Sequence, residues 1–150
     1  WTHADLQTDP NDVINAYNLY KHELESNSCI VKGERKGRNL FDSLFTAGMS
    51  IFSSIVLNQK FHDINAQPKI FHRDFLKNFN NPPNDFSLDL FLLFVAFKNQ
   101  IPVRKNPVFF FDREFGMAKG GGTLKGKVKL IKRTINYILQ LRDDLKTRNM

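Results

Sequence analysis

Apolar positions recur along this chain mostly at helical spacing. Val13, Tyr17, Tyr20 and Leu24 lie three or four residues apart, which predicts a helix from about Pro10 to Ser26. Its start is marked by Asp9 as N-cap, Pro10 at the first helical position and Asp12 at the positive end of the dipole. At the other end, Leu124, Val128, Ile131, Ile135, Ile138 and Leu145 predict a long amphipathic helix from about Thr123 to Thr147.

Two inner windows are richer in apolar residues. "LFDSLFTAGMSIFSSIVLNQKF" is apolar over most of its circumference, so a largely buried helix is expected from about Asn39 to Lys60. Its polar positions, Asp42, Ser43, Thr46, Ser50, Ser53 and Ser54, gather along one side, and Ala47 and Gly48 would let another helix approach closely. After a cap at Asp85, "FSLDLFLLFVAFKN" is continuously apolar from Leu90 to Phe97. Leu and Ala favour a core helix over 86–97, with a buried strand as the alternative. A bilayer helix needs about 20 mostly apolar residues. The first window is interrupted by Asp42 and five Ser/Thr residues and the second is short, so both read as core elements of a soluble protein.

The remaining segments are less regular. Phe71, Phe75 and Phe79 form a stripe that predicts a short helix from about Pro68 to Phe79, ended by Pro82–Pro83. "CIVKGERKGRN" reads as a basic connector. "IPVRKNPVFFFDREFG" is punctuated by Pro102 and Pro107 and is the least helical part, with a short strand or extended run near 107–112. The expected architecture is therefore mostly α: one compact domain over 1–150, about five helices and a Phe-rich core.

Composition sharpens this picture in three ways. Fifteen Phe against one Trp and three Tyr point to buried rings without polar handles. A single cysteine, Cys29, excludes an intrachain disulfide framework and a Cys-based zinc site, and fits a half-buried thiol in a reducing intracellular compartment. A first residue of Trp1 fits an excised domain or a processed product, so a missing signal peptide carries no weight.

Charge is divided unevenly. Residues 1–97 hold nine Lys/Arg and eleven Asp/Glu, a net of −2, whereas 98–150 hold thirteen and four, a net of +9. The excess gathers in a loop and helix over 116–147, where "GMAKGGGTLKGKVKLIKR" resembles a phosphate-binding stretch. Gly121, Gly126 and Lys127 approach the nucleotide-binding loop pattern, but Val128 stands where a magnesium-binding hydroxyl is needed. No strand directly precedes it, so NTP hydrolysis is disfavoured. Lysines at a helix start and Asp143–Asp144 near its end both oppose the macrodipole, a mismatch that an anion would offset.

The anion-binding candidates are Lys119, Gly121, Gly122, Lys125, Lys127, Lys129 and Arg133, with Arg35, Lys36 and Arg38 as a second basic patch. The expected activity is non-enzymatic binding of an acidic partner, nucleic acid ahead of an anionic membrane surface, without cofactor or metal. A protein–protein or regulatory domain using apolar helix faces is the first alternative. A metal-dependent nuclease using Asp112, Glu114 and Lys119 is the second. His62–Asp63 and the "HRD" at His72 lack the spacing of a metal site or of a kinase.

Overall fold

The computed structural model describes residues 1–2, 7–37, 40–111 and 124–148, without the side chains of 40–42, 45, 124, 125, 127, 130 and 144–148. Its order is α1 (Asn11–Leu19), α2 (Lys21–Glu25), β1 (Ile30–Lys36), α3 (Leu40–Val56) and β2 (Lys69–Phe71). A 3-10 helix (Arg73–Asn78), α4 (Leu88–Lys98), β3 (Val103–Phe109) and α5 (Leu124–Arg148) follow. The expectation of a mostly α domain of about five helices is thus corrected to a mixed α/β fold with a three-stranded sheet.

The sheet runs β2-β1-β3, with β1 in the centre, antiparallel to β2 and parallel to β3. The basic "connector" is this central strand. Ile30 and Val31 are β-branched and fully buried, and they start a pairing that joins Ile30 to both Phe71 and Val103. Gly33 is required where β1 passes the 67–68 peptide: its N–H donates to the Pro68 carbonyl at 2.8 Å, and an added Cβ would lie 2.1 Å from the Gln67 oxygen. The stripe at Phe71, Phe75 and Phe79 is real but is carried by β2 and the 3-10 helix. With Trp1 and Phe91 it makes a chain of edge-to-face rings at 5.1 to 5.4 Å.

Successive strand residues face opposite sides of a sheet, and β1 separates two cores. Val31 joins Ala16, Leu24 and Cys29 under α1 and α2. Ile30 joins the larger core with Phe75, the length of α4, and Ile138 and Leu141 of α5. Helix α4 is buried from Asp89 to Ala96, which makes the apolar run a core helix, begun at Leu88, and explains its apolar circumference. It starts where the Asp85 carboxylate accepts the Ser87 N–H at 2.8 Å. The first predicted helix is interrupted at Tyr20, and it starts one residue later than expected, with Pro10 at the N-cap and the Asp9 carboxylate accepting the Asn11 N–H at 2.8 Å.

Helix α3 departs from expectation in its orientation. Ser50 and Ser53 are buried, whereas Leu44, Ile51 and Ile55 are 73%, 60% and 74% exposed. The helix presents an apolar face outward and is not largely buried. Phe86, Phe97, Phe109 and Phe111 are exposed too, so the rings are divided between core and surface.

Candidate functional site

The first half of α5 holds Lys129 and Arg133 of the expected anion-binding set, and Lys132 lies beside them. Lys129, Lys132 and Arg133 are exposed, and the first turn contains no acidic residue. Arg133 is held on the outside of the 83–87 turn: Nε lies 3.1 Å from the Asp85 carboxylate and the guanidinium sits 5.6 Å above the Phe86 ring. Asp85, Phe86 and Arg133 thereby tie the helix to the turn that starts α4. Beside them runs an open groove of about 370 Å³ lined by Asn84, Ser87, Asn136, Tyr137 and Gln140. Lys129 and Lys132 form no ion pair among the described residues. Lys125 and Lys127 lie on the first turn of the same helix, with side chains outside the described set. Lys119, Gly121 and Gly122 lie outside the described residues, as do Asp112 and Glu114 of the nuclease alternative.

The second basic patch is not gathered on one surface. Arg35 turns inward, its side chain 9% exposed, and makes a double-pronged ion pair with the buried carboxylate of Asp63. Burial alone would raise the Asp63 carboxyl. The hydrogen bonds and charge of Arg35 outweigh it and hold the group below its usual value. Lys36 pairs with Glu34 at 2.8 Å, and Arg38 lies outside the described residues.

What the sequence reading missed is a row of lysines across the sheet. The register sets Lys32 of β1 opposite Lys69 of β2 and Lys105 of β3, so all three project from one face. Lys69 is wholly buried and meets Asp89 at 2.5 Å, and Gln67 and Trp1 also donate to that carboxylate oxygen. Lys105 is half-exposed and meets Glu34 at 3.3 Å. Lys32, 2% exposed, has no carboxylate partner among the described residues: its ammonium donates to the Asp63 and Gly33 carbonyls at 2.8 and 3.1 Å.

Burial is the main force on the Lys32 ammonium and pulls it from 10.5 down to about 8. Asp63 partly offsets this, while Lys69, Arg35 and Lys105 repel it. Burial likewise lowers Lys69, against the attraction of Asp89. A sequence signal for Lys32 existed: it directly follows two β-branched residues in "CIVKG", as a charge inside a strand would.

Among the described residues, no cluster of three or more His, Cys, Asp or Glu is placed to hold a metal, and no helix is long and apolar enough to cross a membrane. No protein-family model, curated protein or solved structure matches this chain.

Proposed function

We propose that this chain is a non-enzymatic binding module whose basic C-terminal third engages an acidic partner, nucleic acid ahead of anionic lipid. The observation that carries the reading is the pair of exposed cations Lys129 and Lys132 on the first half of α5, which form no ion pair among the described residues. They belong to a region of net +9, and Lys125 and Lys127 precede them on the helix. A helix start already presents N–H groups and positive potential, so lysines there repel it and one another. Phosphates relieve both. The single, buried Cys29 fits a reducing intracellular compartment.

Binding to duplex DNA, RNA and vesicles containing anionic lipid tests this over a salt series. Each phosphate neutralised on duplex DNA contributes about −0.9 to the slope of log affinity against log salt. A Lys125→Ala/Lys127→Ala/Lys129→Ala/Lys132→Ala variant should therefore flatten that slope by about 3 to 4 while remaining folded. Retention by the variant equal to that of the wild type on all three supports defeats the reading.

A second reading, a protein–protein interaction domain, draws on α3. Leu44, Ile51 and Ile55 share one exposed stripe, with the small exposed residues Ala47 and Gly48 between them, and a Cβ added to Gly48 would meet nothing within 4 Å. Close approach by an apolar face of another chain suits that surface. Ile51→Asp/Ile55→Asp should abolish such an association and leave the salt-dependent binding through α5 intact.

A further inference from the structure

The sheet face that carries the lysine row also walls a cavity of about 700 Å³, a size typical of small-molecule sites. Lys32 and Lys105 contribute from the sheet, Phe61 and His62 from the segment after α3, and Leu93 and Phe97 from α4. Apolar walls predominate. The charged and titratable lining residues are Lys32, Lys60, Lys105 and His62, and no Asp or Glu is among them.

The buried charges do not balance. Among the described residues, Lys32 and Lys69 are buried cations and the Arg35 side chain is 9% exposed, against the buried carboxylates Asp63 and Asp89. Asp89 is committed to Lys69 and Asp63 to Arg35. The surplus positive charge falls on Lys32, the member of the three that lines the cavity. Two of its three ammonium protons are taken by carbonyls, so one donor remains. A buried cation whose nearest carboxylate is already bonded to another cation is an expensive arrangement unless something supplies a further anion.

We propose that this cavity binds a small organic anion, with its charged head on Lys32 and an apolar body against Phe61, Leu93 and Phe97. Lys105 and Lys60 give the mouth a positive potential that favours entry of an anion over a neutral or cationic molecule. Glu34 partly screens Lys105 and approaches His62 at 3.9 Å, so the inner Lys32 makes the main contribution to selectivity. This site is separate from the basic surface of α5 and does not depend on it.

The test uses decanoate as the probe, decanamide as its neutral counterpart and inorganic phosphate as an anion without an apolar body. Binding to the whole chain is followed by calorimetry and by amide NMR shifts. Decanoate should bind at least ten times more tightly than decanamide or phosphate and should perturb residues around Lys32, Phe61 and Phe97. Lys32→Met should weaken decanoate at least tenfold and leave decanamide nearly unchanged. Equal affinity for decanoate and decanamide, no decanoate binding at millimolar concentration, or an unaltered affinity in Lys32→Met overturns the proposal.

Should Lys32→Met not fold, the ionisation of Lys32 in the wild type decides. It is read from the lysine Cε resonance, with Lys69, Lys105, Arg35 and Asp63 as the charged neighbours. Saturating decanoate should move that titration upward, and an unmoved titration overturns the proposal.

Discussion

Replacing Lys32 by Met asks how much free energy the protein spends on a charge in its sheet. The ammonium titrates near 8 in the folded chain against 10.5 for an ordinary lysine. At about 1.36 kcal/mol for each pH unit, that gap corresponds to roughly 3 kcal/mol of opposition to folding whenever the group is charged. Between about pH 8 and 10.5 the unfolded chain holds the proton more firmly than the folded one, so stability rises with pH. Below pH 8 the opposition is complete and constant. At pH 9.5 about 2 kcal/mol of it should be gone.

Lys32→Met lacks the titration altogether. The variant also gives up the hydrogen bonds to the Gly33 and Asp63 carbonyls, a loss of about 1–3 kcal/mol that is nearly independent of pH. The informative quantity is therefore the difference in unfolding free energy between variant and wild type, measured in urea by circular dichroism at pH 7 and pH 9.5. It should move by about 2 kcal/mol in favour of the wild type between the two. Cys29 and Tyr17, both raised above their ordinary values, titrate alike in the two proteins and cancel. A difference that is constant to within about 0.5 kcal/mol refutes the assignment of Lys32 as a buried, unpaired cation.

Two other substitutions probe the same region. Asp89→Asn leaves the wholly buried Lys69 without its partner and should cost about 3–5 kcal/mol by urea unfolding, most of it recovered in a Lys69→Met/Asp89→Leu variant. Gly33→Ala drives a Cβ into the Gln67 carbonyl, which is backbone and cannot rotate away, so thermal unfolding should show a loss of about 3 kcal/mol or more.

The helices were legible because their information is local. Helix α4 announces itself by an unbroken apolar run after Asp85, and α5 by a periodicity sustained to Leu145. The sheet was not, because its information is distant. Ile30 is a strand residue by virtue of Phe71 and Val103, far along the chain, and β2 is only three residues long. Charge misled in the same way. "KGERK" looks solvated until Asp63 is brought beneath it, and no local rule links Lys69 to a carboxylate twenty residues later. Serines misled on α3, where Ser50 and Ser53 face inward and the branched apolar residues face out. At the basic surface, local reading found Lys129 and Arg133 on one helix but placed Arg35 on a surface that its ion pair with Asp63 forbids.

The two proposed anion sites differ in the physical property that separates them experimentally. Lys129 and Lys132 are exposed, so their attraction for phosphates is screened over a Debye length of about 8 Å at physiological salt. Lys32 is buried beside a largely apolar cavity, where a paired anion is screened far less. Raising salt should therefore strip nucleic acid from α5 while decanoate remains bound. Raising pH through about 8 should release decanoate, because Lys32 then loses the charge that decanoate needs. Salt and pH acting in parallel on both ligands would mean one shared surface. Opposite responses would mean that a buried charge left unbalanced within the fold has its own small-molecule partner.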